Sequence, residues 1–282
     1  MLNFCKFPAR SLVLGYDGIK PDNDFLSRLE KIRPFGIIIF SHNFTRLEDI
    51  PRAIEKFRSV VPDMEFLIDQ EGGDKCRITK SPYCPPSPYS LRDKSNDIVR
   101  QVFRDSAEAL AQLGITINLA PVADLGTGLY IRNRTFGTEP QKTAELVVSA
   151  MEGIIAGGLK PCVKHFPGLG CADIDPHKKI PVCDTTAQEF ENYHWSTFRQ
   201  SIENGIEYIM TTHILAPSLD AELPATYSNK IITRLRELEF RGKIFTDDLA
   251  KMKGAQIFPP QERITRALTA GNDVALWCAQ EW

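Results

Sequence analysis

Eight short apolar runs rich in β-branched and aromatic residues recur along this 282-residue chain, with amphipathic stretches between them. They are "SLVLGYDG" (11–18), "GIIIFSHN" (36–43), "EFLIDQEGG" (65–73), "ITINLAPVAD" (115–124), "LKPCVKHFPG" (159–168), "IEYIMTTHIL" (206–215), "GKIFTDDL" (242–249) and "NDVALWC" (272–278). Between them, Phe25, Leu26, Leu29 and Ile32, then Ile50, Ile54 and Phe57, fall at the three- and four-residue spacing of a buried helix face. Thr45 followed by Glu48 predicts a capping box at the start of the second of these helices. Strands that alternate with helices run parallel, and eight such units most often close into a (β/α)8 barrel; an open doubly wound sheet is the alternative. No G-x-G-x-x-G follows a strand and no G-x-x-x-x-G-K-[ST] occurs, which removes the main sequence support for a dinucleotide or P-loop site. The expectation is one α/β barrel domain over residues 1–282, a length at which such barrels are routinely single units.

A net charge of −2, with acidic and basic residues mixed along the chain, gives no support to a nucleic-acid or membrane-surface partner. No apolar stretch approaches the roughly 20 residues that span a bilayer. "MLNFCKFPARSLVLGY" lacks the features of a signal peptide, so a cytoplasmic protein is expected. The seven cysteines (Cys5, Cys76, Cys84, Cys162, Cys171, Cys183 and Cys278) are scattered and include no C-x-x-C pair; reduced thiols are expected and a structural zinc site is not.

Active sites of such barrels assemble at the C-terminal ends of the strands. Seven of the eight runs end in polar residues: Asp17; His42 and Asn43; Asp69 and Glu71; Asp124; Lys164 and His165; His213; Asp247 and Asp248. Convergence of these on one rim predicts a site for a polar small molecule. The run "KHFPGLGCADIDPH" (164–177) adds Asp175 and His177 on a glycine-broken loop, and the proline-rich "SPYCPPSPYS" (81–90) predicts a stiff loop above the third strand. No metal-ligand spacing stands out, since His165 and His177 are twelve apart and no H-x-H occurs. A barrel metal hydrolase using His42, His165, His213 and Asp247 remains a distant reading. No G-x-S-x-G elbow is present.

"KHFPGLG" with the following D-x-H, together with "DQEGG", "APVAD", "NRTFG" and "TDDL", resembles glycoside hydrolase family 3, and within it the bacterial single-domain β-N-acetylhexosaminidases of peptidoglycan recycling. The resemblance runs in order from about residue 12 to residue 278. It implies a retaining exo-β-N-acetylglucosaminidase acting on a GlcNAc conjugate, with no cofactor and no metal. Asp247 would be the nucleophile, His177 the general acid and base, and Asp175 its dyad partner. Asp69, Arg77, Arg134, Lys164 and His165 would hold the terminal sugar. A histidine acid departs from the usual carboxyl pair about 5–5.5 Å apart. An unperturbed pKa near 6.5 suits imidazole to the task, and a histidine would repel phosphate less than a carboxylate, so phosphorolysis is expected to compete with hydrolysis. Glycines 168 and 170 are expected to let the loop swing.

Several alternatives stay open on the residues alone. Asp248 competes with Asp247, His177 could be a surface histidine, and Lys164 and Arg134 could be structural partners of Glu71 or Asp124. His213 is as well explained by rim packing as by substrate contact, and His42 and His194 read as structural. Three departures from the family pattern bear on function: Leu169 in "PGLG", where a histidine is usual; Asp74, which inverts a charge beside the expected pocket; and only four residues after the last run, where a final helix is usual. The last leaves an apolar flank around the first and eighth strands. An oligomer partner, the N-terminal "MLNFCKFPAR" or a folded-back "WCAQEW" is expected to cover it. A barrel that binds such sugars without turnover is the competing functional reading.

Overall fold

Alternation along each apolar run sorts its side chains to the two sides of a wall. In β1 (Leu12–Leu14), Val13 packs with one cluster while Leu12 and Leu14 pack with another; Ile38 of β2 (Gly36–Ile39) and Leu67 of β3 (Glu65–Ile68) join Val13, and Ile37, Ile39, Phe66 and Ile68 join the other. The smaller cluster fills the inside of a barrel, and the larger lies between the strands and the surrounding helices. Such double-sided burial is what parallel strands covered by crossover helices require.

The computed structural model describes residues 3–279. Its remaining strands are β4 (Gln70–Gly72), β5 (Lys75–Cys76), β6 (Ile117–Asn118), β7 (Lys160–Phe166), β8 (Tyr208–Thr211), β9 (Lys243–Asp248) and β10 (Val274–Trp277). Eight of the ten close a parallel barrel in the order β1-β2-β3-β6-β7-β8-β9-β10, one in each of the eight apolar runs. The barrel expected from the alternation is therefore the fold. One addition was not expected: the third run breaks after Ile68, and β4 pairs antiparallel with β5 as a hairpin above the barrel rim.

The first helix, Asn23–Ile32, is capped by Asp22, whose carboxylate accepts from Phe25 N at 2.7 Å. The second helix, Asp49–Val60, starts differently from the expected capping box. Asp49 Oδ2 accepts from Thr45 N, Thr45 Oγ1 and Arg46 N at 2.9–3.1 Å, so the carboxylate that closes the turn belongs to the helix's own first residue, and Glu48 has no capping bond.

Phe4, in a short turn of 3-10 helix (Phe4–Lys6), covers part of the flank at β10. It is buried and meets Trp277 edge-to-face with ring centroids 6.0 Å apart, and Trp277 is itself buried. Of the expected coverings, the N-terminal one is thus in place. Gln280, Glu281 and Trp282 of "WCAQEW" lie outside the described residues. Among the described residues no helix is long and apolar enough to cross a membrane.

Phe4→Ala is expected to destabilise the barrel by about 3 kcal/mol, the lower end for losing a buried phenylalanine, seen as a lower urea midpoint with an unchanged slope.

Candidate active site

Regular strand alternation would send Lys164 and His165, adjacent in β7, to opposite faces. Both face the same cavity, because the pairing of β7 with β8 slips between Lys164 and Phe166: Lys164 sits opposite Met210, while Phe166 sits opposite the very next residue, Thr211. The Lys164–His165 peptide is cis.

Lys164 Nζ lies 2.9 Å from Asp69 Oδ1 and 2.7 Å from Glu71 Oε1. Arg134, in the turn Arg132–Arg134, grips Glu71 through Nε at 2.7 Å and Nη2 at 2.8 Å. Arg77, just after the β4–β5 hairpin, donates to Asp69 Oδ2 at 2.7 Å. Burial alone would raise both carboxyls, but neighbouring cations outweigh it. Lys164 and Arg77 hold Asp69 well below the usual carboxylate range, and Arg134 and Lys164 lower Glu71 to about 2. For Lys164 and Arg134, burial opposes the charge and the carboxylates more than restore it, so both remain protonated. The structural alternative for these two residues is therefore realised, and in the same place they line the cavity.

Asp124 organises the other side. Its fully buried carboxylate accepts from His165 N at 3.1 Å, His165 Nδ1 at 2.7 Å, Leu169 N at 2.6 Å and Gly170 N at 3.2 Å. With Nδ1–H committed to Asp124, His165 turns Nε2 towards Arg134 Nη2, 3.3 Å away. The loop beyond β7 is held at both ends. Gly128 N donates to Gly170 O and Leu129 N to Asp173 Oδ1, while Cys183 N donates to Leu215 O and Leu215 N to Pro181 O. A Cβ on Gly170 would collide with the Leu125 carbonyl, so that glycine serves close packing; the positive φ of +142° falls on Gly168. Gly170 is thus held in place, and residues 174–180 form the arc between the two tethers, within which Lys253 N donates to Pro176 O at 2.9 Å. Leu169, the first departure, is buried against the cavity, its N–H spent on Asp124.

On that arc His177 Nδ1 lies 3.0 Å from Asp175 Oδ1, and the same oxygen accepts from His177 N at 2.9 Å. Burial works to raise Asp175, and the His177 backbone N–H and ring together bring it below its usual value. Across the cavity, Asp248 also lines the wall, but its Oδ1 is engaged, accepting from Ala250 N at 2.9 Å and Cys278 N at 3.0 Å, and burial raises its pKa. Asp247, half-exposed, receives only the Asp248 N–H, at 2.8 Å, from among the described residues. His213 is buried behind the site, with Nε2 3.1 Å from the Asp248 carbonyl, and is not among the cavity-lining residues; rim packing accounts for it. His42 contacts the Tyr16 carbonyl at 3.2 Å, and His194 is buried in a turn of π-helix, Phe190–His194.

Asp69, Arg77, Arg134, Lys164, His165, His177 and Asp247 all line one cavity of about 270 Å³, near the small end of ligand pockets, and Asp175 stands behind His177. Asp74 is exposed at the hairpin turn and does not line the cavity, whereas its neighbour Lys75 does; the expected charge inversion falls outside the pocket. Among the described residues no group of three or more His, Cys, Asp or Glu is arranged to hold a metal ion.

The cysteines depart from expectation. Cys76–Cys84 links the hairpin to the proline-rich loop, and Cys171–Cys183 joins the two ends of the catalytic-face loop; Cys5, Cys162 and Cys278 are free. Scatter in sequence concealed two pairs, each with Cα atoms 5.8 Å apart.

Residues 13–282 match the profile of the glycosyl hydrolase family 3 N-terminal domain. The chain belongs to glycoside hydrolase family 3. Among family 3 relatives, a β-hexosaminidase of Nitrosospira multiformis is 32% identical over 255 residues, spanning 86% of this chain and 73% of its own. NagZ of Neisseria gonorrhoeae, solved with N-trifluoroacetyl-D-glucosamine, superposes with a TM-score of 0.88 at 28% identity, covering 97% of this chain and 82% of that one. A family 3 β-N-acetylglucosaminidase of Paenibacillus superposes at 0.90 with 26% identity over 95% of this chain, which spans about half, 53%, of that longer protein.

Glu71→Gln leaves two buried cations undercompensated and is expected to cost about 3–5 kcal/mol at pH 7. Because Glu71 is held at about 2 against an ordinary 4.5, its contribution is fully present above pH 4.5 and is lost as pH falls towards 2. Urea unfolding at pH 7 and pH 3 should therefore show the gap between wild type and Glu71→Gln narrowing at the lower pH.

Proposed function

We propose that this barrel is a retaining exo-β-N-acetylglucosaminidase that removes terminal GlcNAc from peptidoglycan-derived muropeptides, residues 1–282 acting as one catalytic unit. The observation that carries the reading is that Asp247 and His177 line the same small cavity as Asp69, Arg77, Arg134, Lys164 and His165. The names of its relatives and the N-acylated glucosamine bound by the Neisseria protein support the substrate class.

In the proposed reaction Asp247 attacks the anomeric carbon while the His177 imidazolium gives its Nε2 proton to the departing glycosidic oxygen. Asp175 holds Nδ1–H and so orients the ring. The neutral imidazole then takes a proton from water, which displaces Asp247 and releases the sugar with retained configuration. Phosphate is a competing acceptor, since imidazole carries no negative charge to repel it. Lys164, Arg77 and Arg134 supply fixed donors, and Asp69 and Glu71 fixed acceptors, for the hydroxyls and the N-acetyl group, already oriented before substrate arrives. The competing reading, sugar binding without turnover, is disfavoured by the half-exposed Asp247 carboxylate and the formed Asp175–His177 pair, neither of which binding alone requires.

Release of nitrophenol from the β-N-acetylglucosaminide and the β-glucoside, with and without phosphate, tests this. Asp247→Ala is expected to abolish turnover, and His177→Ala to lower it by about 10²–10⁴-fold. A folded wild-type protein that binds GlcNAc but releases nothing would establish the binding reading instead.

A cytoplasmic setting belongs to this proposal and sets a condition on the cysteines, since a reducing compartment opens disulfides. Acid quenching of intact cells, then alkylation under denaturing conditions and peptide mapping, should find Cys76, Cys84, Cys171 and Cys183 modified if the enzyme works in the cytoplasm. Modification confined to Cys5, Cys162 and Cys278 would place it in an oxidising compartment.

A further inference from the structure

The cations that line the cavity are of two kinds. Arg77, Arg134 and Lys164 each lie 2.7–2.9 Å from Asp69 or Glu71, so the buried cluster answers its own charge. Lys75 and Lys251 line the same cavity but are exposed, and among the described residues neither ammonium has an ion-pair partner or a hydrogen bond. Both stand on held backbone. Lys75 pairs with Gly72 in the β4–β5 hairpin, and Gln70 fixes the residues that follow it, accepting from Arg77 N at 2.8 Å and donating to Ile78 O at 2.6 Å. Lys251 lies in the loop that follows β9 and Asp247, where Arg263 Nη1 donates to Ala250 O at 3.0 Å and Gln256 Nε2 to Lys251 O at 3.3 Å. The same loop reaches the arc, through Lys253 N and Pro176 O. Lys178 and Lys179 of the arc are exposed as well, but they do not line the cavity.

We propose that Lys75 and Lys251 are specificity-determining residues that select an aglycone carrying a carboxylate over a neutral one. The inference rests on the reading of this barrel as an exo-β-N-acetylglucosaminidase and goes beyond it by naming the side chains that read the leaving group. A negatively charged aglycone enters a cavity whose Asp247 carboxylate receives a single N–H among the described residues, with Asp248 beside it on the wall. Two unpaired ammoniums offset that repulsion and draw an anion in, whereas a neutral aglycone gains nothing from them. The buried cations cannot do this, because their charge is already spent on Asp69 and Glu71. Lysine suits the task, since a point charge on a flexible stem meets a carboxylate without demanding one geometry.

The test compares kcat/KM, in phosphate-free buffer, on three substrates that share the terminal GlcNAc. One is the disaccharide with N-acetylmuramic acid, whose lactyl group bears a free carboxylate; the second has that carboxyl amidated by an alanyl-glutamyl dipeptide, which moves the negative charge outwards; the third is the neutral GlcNAc disaccharide. Lys75→Gln and Lys251→Gln are each expected to lower kcat/KM on a charged substrate by about two- to fivefold, and the double variant by about tenfold, the scale of exposed ion pairs. The neutral disaccharide should stay within about twofold of wild type. Whichever charged substrate loses more identifies the carboxylate that is read. Raising the salt from about 50 mM to about 500 mM should shrink the wild-type preference for charge. Lys243→Gln makes the same charge change at the other end of β9 and should alter none of the three. An equal fall on charged and neutral substrates, an equal loss in Lys243→Gln, or no change in the double variant would each overturn the proposal. A wild type inactive on all three substrates removes the underlying functional reading instead, so the two failures are distinguishable.

Discussion

A fully buried carboxylate must be answered by donors, and Asp124 is answered four times over, entirely by residues between His165 and Gly170. This one group, at the end of the β6 stretch, therefore fixes the path of the chain beyond β7. It sets which nitrogen of His165 carries the proton, and hence which faces Arg134. It also sets where the catalytic-face loop leaves the barrel. Lys164 of the ion cluster and the loop that carries His177 both follow from the path of β7 that Asp124 anchors.

The ion cluster has a different logic. Two carboxylates and three cations are buried so closely that each charge is stabilised mainly by the others, which makes the removal of any one costly. In the proposed reading, stability and sugar recognition are thus served by the same side chains. A pocket floor of interlocked charges also needs little rearrangement to meet a polyhydroxylated ring, since its donors and acceptors are already aimed.

The eight strands were legible because their burial demands are simple: runs such as "GIIIF" and "EFLI" have few other ways to hide from water. Polar residues at strand ends were legible as a site for the same reason, since only the rim can hold them. What stayed hidden depends on contacts between distant segments. Alternation gave no hint that Lys164 and His165 share a face, which needs the slip in pairing with β8. Glu71 and Asp124 were visible as strand-end acids, with Lys164 and Arg134 open as partners, but spacing could not say which acid takes which, since the partners lie on other strands and loops far along the chain. Cys171 and Cys183 carry no motif. The Thr45–Glu48 box failed because Asp49, one residue further on, reached the same turn first.

Residues 174–180 run between two tethers, held midway by the Lys253 N–H on the Pro176 carbonyl, and His177 rides on them. In the proposed reaction the proton donor and the cover over the cavity are therefore the same piece of chain. Any ligand too bulky for the arc to settle over also keeps the imidazole at a distance, so a misfit guest is held without being cut. Discrimination among aglycones by bulk can then be exercised by whether the cover shuts, separately from any reading of their charge.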